Sequence, residues 1–217
     1  VTRDAFGRYV NALDLPHNFP GVESINFARY LRDAERGQFE AQMLQNIDGR
    51  GRNARIMPAG RRAEYTVLTF VEPGAAWIGR IGFDMQTVAG GVRVLGRSRD
   101  TGELLTGGSP VKSGSKMLGL AMRLPVYRAA MPVQDVNQRR AAYLGTVGVG
   151  FSVDRLAHGV LDTMPKNATR LAIFGMAPVE EAGRSPTVYR RVVYFDNRAG
   201  VEPDERTEFH ALLPVGE

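Results

Sequence analysis

Several segments of the chain carry the residue pattern of β-strands, and helices or turns separate them. Those in the last quarter of the chain are residues 168–174, 187–196 and 207–213. Residues 64–71 (EYTVLTFV) are rich in β-branched and aromatic side chains, residues 118–124 form an apolar run, and residues 143–151 alternate in character. No strand–helix–strand alternation runs through the chain, which argues against a doubly wound parallel sheet. The order of segments predicts an α+β fold in which an antiparallel sheet flanked by helices occurs twice.

Helical spacing of apolar residues predicts four helices. Residues 1–15 match the end of a helix that we expect to continue upstream, because the chain opens on Val1 rather than Met and is expected to be a fragment. A second helix is predicted over residues 22–45, with Ile25, Ala28, Leu31 and Phe39 on its apolar face. The others cover residues 87–99 and 152–163, and the polar residues 129–140 are expected to form a surface connection.

Composition excludes several classes of function. The 217 residues contain no cysteine, so disulfides, thiolate catalysis and Cys-ligated zinc are excluded, and no apolar run is long enough to span a bilayer. The net charge is +5, but arginines are spread along the chain and interleaved with acidic residues, so we expect no nucleic-acid partner. The three histidines are far apart and no catalytic or phosphate-binding motif is present, so we expect no metal, no cofactor and no enzymatic activity.

Asp84 is a carboxylate within the apolar run of residues 81–85 (IGFDM). An ionised carboxylate in an apolar strand costs several kcal/mol unless hydrogen bonds or a counter-charge satisfy it. One interpretation is that a backbone amide, a hydroxyl or an arginine satisfies Asp84, or that it caps the following helix. The other is that Asp84 is the polar anchor of a small-molecule pocket.

The pocket hypothesis places Asp84 as the acceptor for N–H groups of a ligand, with backbone groups of Leu105 supplying a second pair of hydrogen bonds. Each of the side chains that would form its apolar walls also suits an ordinary core position. The candidate wall residues are Trp77, Phe83, Tyr65, Phe70, Met122, Leu124 and Tyr127.

Several segments, in order, resemble the CHASE domain, an extracytoplasmic sensory module of bacterial and plant membrane receptors. They are PGVESINFARYL, RGQFE, AEYTVLTFVEP, IGFDM, SRDTGELLT, LGLAMRLPVYR and RRAAYLGTVGVGFSVDRL, and the resemblance covers about residues 5–160. It implies a long N-terminal helix followed by two PAS-like lobes built on antiparallel sheets. The corresponding ranges are 1–46 for the helical region, 47–138 for a membrane-distal ligand-binding lobe and 139–217 for a membrane-proximal lobe.

The resemblance also implies a ligand site. In plant cytokinin receptors of the family, an Asp in the motif written here FDM and a backbone contact from a Leu in TGELLT hold an adenine-type ligand. By position these are Asp84 and Leu105, with Thr101 and Thr106 beside them. Residues 107–116 carry fewer aromatic and histidine side chains than the plant pattern, and residues 75–76 are alanines where bacterial members often have a polar residue. The expected site comprises Asp84, Leu105, Thr106, Phe83, Trp77, Tyr65, Met122 and Leu124.

We therefore expect the periplasmic sensor domain of a bacterial inner-membrane receptor, which binds a small molecule and dimerises through its N-terminal helix. The output domain expected is a histidine kinase of a two-component system, a diguanylate cyclase or phosphodiesterase, or a nucleotide cyclase. One alternative is a ligandless scaffold, in which protein groups satisfy Asp84. The other is a hydrolase-like enzyme, which requires a second titratable group within hydrogen-bond reach of Asp84.

Overall fold

A computed structural model of the chain describes residues 2–45, 55–73, 78–88, 90–106, 111–113, 117–162, 171–178 and 189–197. The helices are α1 (Arg3–Ala12), α2 (Leu15–Asn18), α3 (Arg36–Gln45), α4 (Gly91–Thr101), α5 (Val136–Ala142) and α6 (Val153–Leu161). The strands are β1 (Val22–Arg32), β2 (Glu64–Glu72), β3 (Leu105–Thr106), β4 (Val111–Ser113), β5 (Met117–Tyr127), β6 (Tyr143–Ser152), β7 (Ala172–Pro178) and β8 (Tyr189–Asp196). Single 3-10 turns occupy Asp33–Glu35, Ile78–Arg80 and Met85–Thr87.

The main sheet is antiparallel, with its strands in the order β2-β1-β6-β5-β3 and β4 paired to β5 as well. A separate two-stranded sheet is formed by β7 and β8. The predicted α+β class, with an N-terminal helix and antiparallel sheets, is confirmed. The strands predicted over 64–71, 118–124 and 143–151 are present as β2, β5 and β6.

The helix predicted over residues 22–45 is wrong for its first half, because residues 22–32 form β1 in the middle of the sheet. Both faces of β1 are covered, so polar and apolar side chains do not alternate along the strand as they do when one face is exposed to solvent. Ser24 and Asn26 are buried on one face, while Leu31 is buried on the other. This hides the period of two, and apolar residues three apart then mimic a helix. The second half of the prediction is confirmed as α3.

Helices cover both faces of the main sheet. On one face, Leu31 of β1 and Tyr65 of β2 form a core with Phe39 and Met43 of α3. On the same face, Phe6 of α1 packs against Phe70 of β2, with ring centroids 5.6 Å apart. The opposite face carries the alternate residues of the same strands and packs against α4, so the side chains there lie between sheet and helix.

Helix α6 joins the main sheet to the small one. The sequence offers Ser152 or Asp154 as the cap of this helix, and Ser152 has this role, because its side chain accepts a hydrogen bond from the amide of Arg155 at 3.2 Å. Val153 and Ala157 are buried and pack with Phe195 of β8 and Leu120 of β5. The predicted strands over 168–174 and 187–196 correspond to β7 and β8, and the strand predicted over 207–213 lies outside the described residues.

Residues 129–140, predicted as a polar surface connection, are exposed or partly exposed, and the last of them belong to α5. Asp135 caps this helix by accepting a hydrogen bond from the amide of Gln138 at 2.9 Å. The lobe division places β6 in the second lobe, whereas β6 pairs with β1 and β5 inside the main sheet. A division into two lobes, which stays a prediction, would therefore need its boundary after Ser152.

A glycine in β6 makes close packing of β6 on β1 possible. Gly145 has a φ of +148°, and a Cβ there would lie 2.1 Å from the carbonyl oxygen of Ala28. We therefore expect Gly145→Ala to lower the free energy of unfolding by about 2–5 kcal/mol, through backbone strain and overpacking. Urea denaturation measures this change.

The matched control is Gly159→Ala in α6, where a Cβ meets no atom within 4 Å. That substitution is expected to raise the free energy of unfolding by about 0.5–1 kcal/mol, because alanine favours a helix more than glycine does. Equal effects of the two substitutions would contradict the close contact between β6 and β1.

Candidate ligand-binding site

A small cavity of about 60 Å³ lies between the main sheet and α4. The volume has room for a few water molecules, and a pocket that encloses a drug-sized ligand is larger, about 300 Å³ or more. A drug-sized ligand therefore exceeds the space that the cavity offers in this structure. The residues that line the cavity come from β1, β2, the turn after Asp84, α4 and β6. They are Tyr30, Glu64, Thr66, Gln86, Val92, Leu95, Gly96, Arg99 and Tyr143.

The polar groups of the cavity wall are paired with one another. The Tyr30 hydroxyl donates to Glu64 Oε1 at 2.8 Å, and Arg99 Nη1 lies 3.7 Å from Glu64 Oε2. The Gln86 amide donates to Thr66 Oγ1 at 3.2 Å. Burial, and then the neighbouring Glu64 carboxylate, raise the pKa of Tyr30, so this phenol stays protonated at neutral pH and can donate.

Asp84 is fully buried at the outer edge of β2. Its Oδ1 accepts hydrogen bonds from the backbone amides of Thr66 at 3.0 Å and Gln86 at 3.1 Å. Its Oδ2 accepts from Arg62 Nε at 2.9 Å. Asp84 also caps the 3-10 turn that follows it, and its own amide donates to the Met57 carbonyl at 2.7 Å. Backbone amides, an arginine and a helical cap thus all satisfy this residue.

The Asp84 contacts match the first interpretation of this residue, in which protein groups satisfy the charge. The ionisable group in hydrogen-bond contact with it is Arg62, and an arginine side chain is not suited to act as a general acid or base. Within the described part of the chain, Asp84 therefore lacks the second acid–base group that a hydrolase-like site requires. A contact between Asp84 and a ligand stays a prediction.

The residues predicted to form the site are divided between the two faces of the sheet. Tyr65 belongs to the core on the α3 face, where its hydroxyl accepts from the Arg62 amide and donates to Asp33 Oδ1. The strand register places Leu105 beside Arg123, on the face covered by α4. Met122 and Thr106, which pair with each other, lie on the opposite face by the alternation of β-strands.

The remaining predicted residues are not gathered into one pocket. Leu124 is 46% exposed and Phe83 is half-buried. Thr101 is exposed at the end of α4, where its hydroxyl donates to the Arg97 carbonyl. The Thr106 hydroxyl is buried, and no group among the described residues forms a hydrogen bond with it. Trp77 lies outside the described residues, and the ligand contacts of the whole set stay predictions.

Arg123 is a second buried charge on the face that α4 covers. Its side chain is 8% exposed, and its Nη1 donates to Asn26 Oδ1 at 3.0 Å, while its Nη2 lies 4.0 Å from Met85 Sδ. Burial lowers the pKa of Arg123 to about 10. Arg123 is not among the predicted site residues, although it is a charged residue inside the apolar run 118–124 and thus carries the same signal as Asp84.

The C-terminal end of α4 is held to α5 by a cluster of charges around Asp100. The Asp100 carboxylate accepts hydrogen bonds from Arg99 on its own helix and from both Nε and Nη2 of Arg140 on α5. Its carbonyl accepts from Arg139 Nε at 2.6 Å. The cavity wall supplied by α4 is therefore attached to the segment that leads into β6.

The described residues form an antiparallel sheet flanked by helices, with a small cavity between the sheet and α4. Comparison with protein families gives a match to the CHASE domain over residues 1–189. The chain belongs to this family, whose members are non-catalytic, extracytoplasmic sensory domains of receptors. No curated protein matches the chain. Across the described residues, no helix is both long and apolar enough to cross a membrane.

The contacts of Asp84 predict a large loss of stability when its carboxylate is removed. Asp84→Ala leaves two backbone amides and the Arg62 guanidinium without their acceptor, and it opens a cavity. We expect the free energy of unfolding to fall by about 3–5 kcal/mol, as measured by urea denaturation. Asp162→Ala, at an exposed position beyond α6, is the control and should change stability by less than about 0.5 kcal/mol. A small effect of Asp84→Ala would contradict the structural role of this residue.

The Asp100 cluster predicts a pH dependence. The hydrogen bond from Arg140, followed by that from Arg99, lowers the pKa of Asp100 from 3.8 to about 2. Because the folded pKa is the lower one, the stabilisation is complete above pH 3.8 and is lost as the pH falls toward 2. We expect the free energy of unfolding of the wild type to exceed that of Asp100→Asn by about 1–2 kcal/mol at neutral pH, after allowance for solvent screening.

Urea denaturation of both proteins across the acidic range measures this difference. Asp4→Asn, at an exposed position in α1, is the control and should give a difference that changes little over the same range. A gap between the wild type and Asp100→Asn that stays constant down to the lowest pH would exclude the ion cluster as its source.

Proposed function

We propose that this chain is the extracytoplasmic ligand-sensing domain of a bacterial transmembrane signalling receptor, and that it binds a small molecule between the main sheet and α4. The observation that carries the proposal is the cavity at that position. Its wall combines apolar Val92 and Leu95 with a phenol, an amide, a carboxylate and a guanidinium. This mixture of apolar surface and a few polar groups is common in sites that recognise small molecules.

The small size of the cavity supports a binding mechanism that involves movement of α4. A ligand that fits only when α4 moves away from the sheet binds the displaced arrangement better than the closed one. Such a difference in affinity is what a ligand needs to shift a conformational equilibrium. Ligand binding and displacement of α4 are then one coupled event.

Strand β2 offers a route from the cavity to the N-terminal helix. Glu64 and Thr66 line the cavity on one face, and Phe70 contacts Phe6 of α1 on the other face. A shift of β2 that follows ligand binding would therefore be passed to α1. In our proposal, α1 continues into the helix that reaches the membrane and pairs with a second copy in the full-length receptor.

The alternative proposal is a ligandless scaffold that only dimerises or meets a periplasmic protein. The complete pairing of Asp84 by protein groups favours this alternative, because the residue that was expected to hold a ligand has its hydrogen bonds satisfied without one. The cavity lined by Glu64 and Arg99 favours the sensor. Ligand screening separates the two.

The experiment fills the cavity and leaves its polar wall unchanged. Gly96 lies in the cavity wall on α4, and a Cβ there meets no atom within 4 Å, so Gly96→Leu places a side chain in the open space. The wild type and Gly96→Leu are screened by thermal shift against purines, cytokinins, amino acids and small carboxylates. A ligand at a hundredfold its dissociation constant should raise the wild-type Tm by about 5–10 °C, and Gly96→Leu should lose this shift.

The matched control is Gly159→Leu on α6, which also adds a leucine to a helix where a Cβ has no close neighbour. It should keep the ligand-dependent shift. A compound that stabilises the wild type and Gly96→Leu equally would place the binding site elsewhere in the domain. If no compound shifts the wild type, the scaffold becomes the better description.

A further inference from the structure

Arg123 has an incomplete set of partners for a buried cation. Its guanidinium carries five N–H donors, and its two contacts are an uncharged amide oxygen of Asn26 and the sulfur of Met85. Among the described residues, no carboxylate forms an ion pair with it. A buried charge without a counter-charge costs several kcal/mol, and an anion bound beside it would offset that cost.

The sheet around Arg123 leaves space for its head group. Gly148 of β6 pairs with both Asn26 and Arg123, and a Cβ at this position would lie 2.5 Å from Arg123 Nη1 and 2.7 Å from Asn26 Oδ1. Gly150 repeats this arrangement, with a Cβ position 2.9 Å from the hydroxyl of buried Ser24. Two glycines of β6 thus make room for a row of polar groups, Ser24, Asn26 and Arg123, on the face of the sheet that α4 covers.

The polar row continues the wall of the cavity described above. Asn26 and Tyr30 lie on the same face of β1, with the small side chain of Ala28 between them. Met85, which contacts Arg123, is adjacent to Gln86 in the cavity wall. Arg123 therefore lies on the same face of the sheet as the cavity, next to the residues that line it but not among them.

We propose that Arg123 is the anion-binding residue of the ligand site, and that the natural ligand carries a carboxylate that pairs with this guanidinium beside Asn26. This inference rests on the proposed sensory function and adds the chemical class of the ligand. The planar guanidinium presents pairs of parallel donors, a geometry that matches the two oxygens of a carboxylate. Asp84 already has an ion-pair partner, whereas Arg123 has none among the described residues. The site would therefore bind an anion in preference to a cation.

The test uses formate, the smallest carboxylate, as the probe. The Tm of the chain is measured during titration with sodium formate and, at the same ionic strength, with sodium chloride. Wild type should gain stability with formate beyond the chloride effect. Arg123→Met, which has a similar volume and no charge, should lose this specific gain, and the surface substitution Arg155→Met on α6 should keep it. Without formate, the Tm of Arg123→Met should stay within about 3 °C of the wild type.

Three results would overturn the proposal. In the first, formate raises the Tm of the wild type no more than chloride does. In the second, Arg123→Met keeps the formate-specific gain in Tm. In the third, the Tm of Arg123→Met without formate falls by much more than about 3 °C, which would identify Arg123 as a structural residue. Inorganic phosphate is titrated in parallel, and a gain with phosphate but not with formate would also reject a carboxylate ligand.

The cavity-filling variant separates this inference from the proposed function. Suppose that a compound binds the wild type, that Gly96→Leu abolishes this binding, and that the wild type does not respond to formate. This result would support the proposed sensory function and reject the anion-binding role of Arg123. A formate-specific gain, in a protein that binds no larger compound in the screen, would reject the sensor function and leave only an anion site.

Discussion

The buried carboxylate of Asp84 holds together the part of the molecule on which the candidate site depends. Its hydrogen bonds to the amides of Thr66 and Gln86, and the ion pair with Arg62, fix residues 78–88 against the outer edge of β2. This attachment places Gln86 in the cavity wall and Met85 against Arg123. Removing the charge leaves three donors unsatisfied, so the network behaves as one unit rather than as three independent contacts. Asp84 therefore shapes the candidate site through its contacts with other protein groups.

Sequence patterns predicted most of the elements where one face of the element is polar. The regions of α1, β2 and α6 follow their patterns closely, and Ser152 caps α6 as its chemistry predicts. The pattern misled for β1, because Ser24 and Asn26 are buried polar residues that interrupt the apolar alternation. It could not assign β6 to the main sheet, since pairing between strands distant in the chain leaves no local signal.

The candidate site was harder to predict than the fold. A charge within an apolar run was correctly read as a buried charge at Asp84, and the same reasoning applies to Arg123. What the run could not reveal is which of the two charges the protein satisfies itself. That depends on Arg62 and on two backbone amides, which the fold brings to Asp84, and on Gly148, which leaves space rather than a partner beside Arg123. The cavity residues Tyr30 and Tyr143 meet only because β1 and β6 are neighbours in the sheet.

The two buried charges differ in the free energy that they leave for a ligand. Asp84 has repaid its desolvation cost through protein contacts, so an additional partner there gains little and must displace an existing one. No ion pair among the described residues offsets the desolvation cost of Arg123. An anion that reaches it therefore gains an ion pair in a region of low dielectric without breaking another ion pair. In the proposed sensor the anion enters beneath α4, so the gain at Arg123 would be available only in the arrangement with α4 displaced. The energy of one ion pair is then the difference in affinity that a receptor needs to shift its conformational equilibrium.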